Sequence, residues 1–330
     1  MEIPRYLRET LEKSSGECER LVRQVRWGEG PIYLCGCGAG LPAGMAGAYL
    51  FEWLAGWPAL ARSASVFEAY TILAARPRSV LLVISASGEN PEALETARLA
   101  RSRGLLALAV TRQAESSLAG LCEGIILTRE EGAEDSAATA LCQFAALSRL
   151  ALTVARLLKP ARTGQEELEE ELKRLPEQME WSFTHLADAL RSLAELLRAA
   201  PRWWLVGGGL YHPVVVRAAP RLQAGGETPG EGIEASQFGR EALPQARRGE
   251  LALFVSGSRL RIKRKVHEAA AQAKTNGLRL LALTDSNDRG LSDRAEMAIL
   301  APAQSEVGGA LLALALLEWL AVERTRSARR

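Results

Sequence analysis

The chain has 330 residues, 48% hydrophobic and 24% charged, with a formal net charge of +2. That length suits two domains better than one, and the near balance of acids and bases excludes a strongly basic nucleic-acid surface. The five cysteines are an odd number with no paired framework, which suits a reducing, cytoplasmic compartment. Residues 1–28 are charged and helical in pattern, unlike a signal peptide, and predict a helix packing on the first domain. From there the pattern alternates. Short runs rich in Val, Ile and Leu begin at Pro31, Ser79, Leu105 and Gly124, and each ends in a polar or glycine-rich corner. Helical patterns lie between them at about 41–55, 67–75, 91–103 and 136–158. Strands alternating with helices of this size predict βαβ units. Runs apolar at every position predict parallel strands covered on both faces.

Residues 29–160 form the first domain on this reading, and 161–200 a charged linker followed by an amphipathic docking helix. Residues 201–330 form the second domain, which repeats the first. "RWWLVGGG" from Arg202 matches the first strand and its glycine turn. Residues 251–284 align with 80–111, offset by 171 at Ser85/Ser256 and by 173 at Thr111/Thr284. "SLAGLCEGIIL" then matches "GLSDRAEMAIL". A near-constant offset over three features predicts a duplicated domain. The apolar segment 307–322 is short for a membrane span and contains Glu318, so it predicts a buried helix. The basic tail 323–330 reads as a solvated end.

The corner after the second run is Ser85-Ala86-Ser87-Gly88-Glu89-Asn90, and Pro91 opens the next helix. Ligands in open α/β sheets bind at the carboxyl ends of strands. A helix N-terminus there directs free N–H groups and positive partial charge at the loop. Two hydroxyls and a glycine complete a site suited to phosphate. The alternative is that Ser87 or Asn90 only caps the helix. The Lys and Ser/Thr of a P-loop are absent. "CGCGAGLPAG" at 35–44 lacks the acidic partner of a dinucleotide fingerprint, and Cys35-x-Cys37 has no second ligand pair for a metal nearby.

The glycine turn, the Ser-x-Ser-Gly-Glu-Asn-Pro corner and the "LALAVT" strand together resemble the SIS (sugar isomerase) family, twice over, from about residue 30 to 323. The segment "MAGAYLFEWLAGWP" fits the family helix after the first turn. The resemblance is to the isomerase half of glucosamine-6-phosphate synthase and to stand-alone phosphosugar isomerases, aminosugar-phosphate deaminases and fructosamine-phosphate deglycases. It implies two flavodoxin-like, doubly wound α/β domains in tandem, a homodimer, no cofactor and no metal. With no amidotransferase segment ahead of it, glutamine hydrolysis is not expected.

The resemblance also implies site residues. Ser85, Ala86, Ser87, Gly88 and Asn90 would hold the sugar phosphate, with Gly38, Ala39, Gly40, Glu134, Thr139, Glu234 and Arg240 lining the sugar. Two family hydroxyls are replaced by Ala39 and Gly40, and a family lysine by Leu141. Glu227, seven residues before Glu234, matches the family's catalytic glutamate, and a carboxylate base is what C1–C2 proton transfer requires. The alternative reads Glu227, Glu231 and Glu234 as a solvated acidic loop. Where the family has Glu-Phe-x-His-Gly-Pro, this chain has Gln237-Phe238-Gly239-Arg240, so Arg240 stands near the missing histidine. Arg does not act as an acid–base at neutral pH. His212 and His267 are the candidate substitutes. The second corner, Ser256-Gly257-Ser258-Arg259, lacks the Gly-Glu-Asn continuation, so one ligand site per chain is expected. The expected activity is isomerisation, deamination or deglycation of a phosphorylated sugar or aminosugar. The alternative is a phosphosugar sensor without turnover. Neither nucleic acid nor membrane is an expected partner.

Overall fold

The computed structural model describes residues 2–25, 27, 30–132, 136–158, 164–226 and 228–328. The chain divides into two compact units, Met1–Lys173 and Arg174–Arg330. The division falls inside one helix, so the charged stretch read as a linker is helical over most of its length.

In the first unit, α1 (Ile3–Gln24) precedes a five-stranded parallel sheet. Chain order runs β1 (Ile32–Gly36), α2 (Gly40–Leu50) with a π-helical turn at Phe51–Ala55, and β2 (Ala59–Arg62). Two short helices, α3 (Ala64–Val66) and α4 (Ile72–Ala74), flank a second π-helical turn. There follow β3 (Val80–Ile84), α5 (Pro91–Ser102), β4 (Leu106–Thr111), α6 (Ser117–Leu121), β5 (Gly124–Leu127) and α7 (Ala137–Leu158). Strand order is β2-β1-β3-β4-β5, the flavodoxin-like arrangement, with its switch point between β1 and β3. Every residue of β1 and β3 is buried, as their unbroken apolar runs require. α7 is buried continuously from Ala138 to Ala155, and α1 lies along it. α1 also closes the β5 end of the sheet. Glu17 accepts from the Leu127 N–H, and Thr10 from the Arg129 N–H.

Helix α8 (Gln165–His185) carries the division, and α9 (Ala187–Ala199) opens the second unit with a buried leucine face. The second sheet repeats the first through β6 (Trp203–Gly207), α10 (Tyr211–Ala224), β7 (Gly230–Glu234), α11 (Ala235–Glu241) and β8 (Leu251–Val255). It ends with α12 (Lys263–Thr275), β9 (Arg279–Asp285), α13 (Arg289–Ser292), β10 (Met297–Ala301) and α14 (Glu306–Ala328). Its order, β10-β9-β8-β6-β7, is the first sheet's order in duplicate. The duplication reaches the backbone. Gly38 and Gly209, 171 residues apart, both take left-handed φ, at +54° and +55°.

The edge strands β2 and β7 fall outside the apolar runs. β7 reads Gly-Glu-Gly-Ile-Glu, a poor strand by propensity. Packing holds it there instead. A Cβ on Gly230 would lie 2.1 Å from the Trp203 ring, and one on Gly232 would lie 2.4 Å from the Val215 carbonyl oxygen. Glu318 of α14 is fully buried and paired with Arg217 (2.7 Å) and Arg221 (3.3 Å) of α10. Removing a buried carboxylate strands its cations. Glu318→Ala is therefore expected to lower unfolding free energy by about 3–5 kcal/mol, measured by urea denaturation.

Candidate functional site

The β1 turn and the β3 corner are neighbours because Gly36 pairs in register with Ile84. Between them lies a cavity of about 160 Å³. Its wall comprises Cys37, Gly38, Ala39, Gly40, Ile84, Ser85, Ala86, Asn90, Ala93 and, from α7, Gln143. The corner is held rigidly. Asn90 Oδ1 caps α5 by accepting from the Ala93 N–H at 3.1 Å. Thr111 Oγ1 donates to the Ala86 carbonyl, and the Arg112 N–H does the same at 3.0 Å. Gly88 has φ +70°, and its missing Cβ would lie 2.2 Å from Ser116 Oγ, so packing as well as φ demands glycine. Glu89 Oε1 accepts from the Ser117 N–H, a bond that holds its carboxyl below the usual range.

Both corner hydroxyls act as acceptors, although of the two serines only Ser85 lines the cavity. Ser85 Oγ accepts from the Gly88 N–H and Ser87 Oγ from the Glu89 N–H, both at 3.2 Å. Each serine therefore keeps its own O–H proton for an external acceptor. Among the described residues, the N–H groups of Ala39, Ala86, Ser87 and Asn90 have no acceptor. Cys37 Sγ donates to Glu92 Oε2 at 2.9 Å. Burial, reinforced by that bond, pushes its thiol up to about 12, so it remains a neutral wall group.

The equivalent place in the second unit is filled from within. Asp285 stands where the first unit has Arg112, one residue after the aligned Thr284 and Thr111. Its carboxylate accepts from the N–H groups of Ser258 (2.6 Å) and Asn287 (2.9 Å). Ser258 is the counterpart of Ser87. Leu210, the counterpart of Ala39, donates its N–H to Glu306 Oε1 at 3.4 Å, and Arg261 donates its N–H to Glu306 Oε2 at 3.1 Å. Two internal carboxylates thus take the counterparts of three of those four backbone donors, Ala39, Ser87 and Asn90.

Residues 27–155 and 196–323 match the SIS domain family. The chain belongs to it. A related sequence is the isomerizing glutamine–fructose-6-phosphate aminotransferase of Gloeobacter violaceus, 27% identical over 332 residues, covering 97% of this chain and 54% of that protein. The corresponding enzyme of Synechocystis is 28% identical over 271 residues, 78% of this chain and 42% of that one. The chain thus spans about half the length of these curated relatives. Among solved structures, the C-terminal domain of glucosamine-fructose-6-phosphate aminotransferase from Francisella tularensis superposes with a TM-score of 0.85 at 19% identity, covering 98% and 94% of the two chains. Glucosamine-6-phosphate deaminase from Thermotoga maritima does so with a TM-score of 0.70 at 15% identity, covering 98% and 94%. These likenesses agree on two SIS folds in tandem.

Glu227 and Glu134 lie outside the described residues. Thr139 is fully buried in the first turn of α7, its hydroxyl 2.9 Å from that of Ser136, and it does not line the corner cavity. Glu234 caps α11 by accepting from the Ser236 N–H, and Arg240 is exposed on that helix. Glu231 is exposed on β7 opposite Arg202, so this acidic segment is a strand and a helix start rather than a loop. Burial pushes His212 down, with Glu234 opposing, which favours a neutral imidazole. His267 Nε2 lies 2.9 Å from Asp288 Oδ1, and the Thr284 hydroxyl donates to Asp288 Oδ2 at 3.2 Å.

Sequence reasoning missed Gln143 and Glu130. Glu130 follows β5 in a second cavity, of about 450 Å³, that it shares with Arg112, Thr128 and Arg129. Burial pushes its carboxyl up from 4.5 to about 7, with Arg112 and Thr128 pulling the other way. Between those pH values the unfolded chain has lost this proton while the native protein keeps it. Stability then falls as pH rises across the window and levels above it. Comparing urea unfolding from pH 4.5 to 8, Glu130→Gln is expected to lack this component of the fall, a difference of up to about 3 kcal/mol.

Proposed function

We propose that this chain binds a phosphorylated sugar or aminosugar at the first unit's corner and interconverts it by proton transfer, as an isomerase, deaminase or deglycase. The observation that carries this reading is the contrast between the two units. One corner keeps two hydroxyl protons and several N–H groups open at a helix N-terminus, while internal carboxylates take the matching donors of the other. An anion is the ligand such donors suit, and the relatives' names support a sugar as its carrier.

The phosphate serves as an anchor remote from the reacting carbons, so its binding energy can position them. The reaction needs a carboxylate that removes the C2 proton of an aldose phosphate to give an enediol and returns it to C1. Glu227 takes that role by the family correspondence. The chain assembles as a homodimer in this reading.

A second reading, binding without turnover, is favoured by the replacement at Arg240, an exposed side chain that cannot shuttle protons.

Fructose 6-phosphate is expected to raise the melting temperature and to bind one per chain by calorimetry. Ser85→Ala is expected to weaken it roughly 10-fold or more, the loss of a hydrogen bond to a charged group. Unchanged affinity in that variant sinks the corner assignment. Turnover is tested by exchange of a C1 proton of fructose 6-phosphate in deuterated water. The wild type should exchange, whereas Glu227→Gln should bind but not exchange. Binding without exchange in the wild type leaves the sensor reading.

A further inference from the structure

We infer that Gln143 is a specificity residue, its amide pairing with a hydroxyl of the ligand whose phosphate sits at the corner. This rests on the phosphosugar reading above. Gln143 lies in the stretch of α7 that is buried without interruption, and it is 1% exposed. Other polar side chains on the helix are engaged. Ser148 Oγ donates to the Phe144 carbonyl, Thr153 Oγ1 to the Arg149 carbonyl, and Arg149 pairs with Glu169. Gln143 Oε1 is buried with no hydrogen-bond partner. A buried acceptor left unpaired is disfavoured, so such atoms call for a partner that the bare chain does not supply. Gln143 is also the residue of α7 that lines the corner cavity.

The chemistry of the wall narrows the partner. The acceptor atoms of Ser85 and Asn90 are committed to the Gly88 and Ala93 N–H groups, and the Cys37 thiol to Glu92. Gln143 Oε1 is the side-chain acceptor of the wall that is buried without a donor. A carbonyl oxygen requires a donor, and the phosphate group of a monoester dianion has none. Turning the amide over would bury its NH2 without an acceptor instead. A hydroxyl both donates and accepts, so it satisfies either orientation. The cavity has room for more than one water, which needs only about 10–15 Å³. A ligand hydroxyl can replace such a water while reproducing its hydrogen bond. The ligand class is therefore a phosphomonoester that carries a free hydroxyl near its phosphate, as distinct from a monoester without one.

Calorimetry on the full chain at mildly alkaline pH, with fructose 6-phosphate and methyl phosphate as separate probes, tests this. Gln143→Met keeps volume and removes the amide. The variant should melt at or above the wild-type temperature without ligand. It should lose about tenfold or more in affinity for fructose 6-phosphate, while methyl phosphate, a monoester dianion with no hydroxyl, changes less than twofold. Equal loss for both probes would mean that Gln143 touches the phosphate and overturns the proposal, as does no loss for either. Should Gln143→Met melt well below the wild type, Gln143→Asn, which withdraws the amide by one methylene, is expected to give the same selective loss. A wild type that binds neither probe overturns the corner reading itself, an outcome separate from those on Gln143.

Discussion

The site depends on a single close approach, that of α2 to β1. A Cβ on Gly36 would lie 2.3 Å from the Gly40 carbonyl carbon, and a Cβ on Gly40 would lie 2.8 Å from the Ile84 carbonyl oxygen. Two bare glycines therefore let the start of α2 press against β1 and the end of β3 together. The β1 turn and the β3 corner then share one crevice at the sheet's switch point, where open α/β sheets bind ligands. The second unit uses the same device, with a Cβ on Gly207 meeting the Tyr211 carbonyl oxygen at 2.6 Å. Fold and crevice are thus common to both halves, and the halves differ in what fills the crevice.

That difference is one of charge at matched positions. The residue after the aligned threonine is Arg112 in one unit and Asp285 in the other. A carboxylate beside unpaired N–H groups binds them as a phosphate would, at no cost in association entropy because it is part of the chain. Asp285 and Glu306 serve the second unit as internal acceptors, and burial pushes Glu306 up despite the N–H groups of Arg261 and Leu210. The duplicated fold can therefore keep one half as scaffold and one as receptor.

Much of this was legible in the residues. The buried strands stood out as unbroken Val/Ile/Leu runs, and the duplication as a steady offset between two Ser-x-Ser corners. β7 was not legible, because its glycines answer to Trp203 and α10 rather than to strand propensity. Gln143 was hidden because α7 is buried all round, so no periodicity marks which side meets the cavity. An amide inside the run "TALCQFAAL" was the one available signal. The plugged corner was readable in principle, as a charge reversal between aligned positions, but its meaning required knowing which N–H groups the carboxylates reach. The role of Gly88 also changed. The glycine makes room for Ser116 behind the loop and takes a left-handed φ, whereas the sequence suggested only an open approach for an anion.

The corner's electrostatics are set by the charges its wall lacks. Among the described residues, none lining the cavity is Lys or Arg, and Glu89 and Glu92 stand on the loop and the first turn of α5. Glu89 is fixed in its charged form by the Ser117 N–H, and Glu92 is turned to the Cys37 thiol. An anion bound here as proposed would be held by oriented neutral dipoles: N–H groups, hydroxyls and a helix end. Such dipoles act only over short distances and in fixed directions, so they reward a group of the right shape more than net negative charge. With no strong cation to dominate affinity, small contacts elsewhere in the cavity weigh heavily in choosing the ligand. That is the setting in which the proposed contact of Gln143 would separate a sugar phosphate from a phosphate ester without hydroxyls.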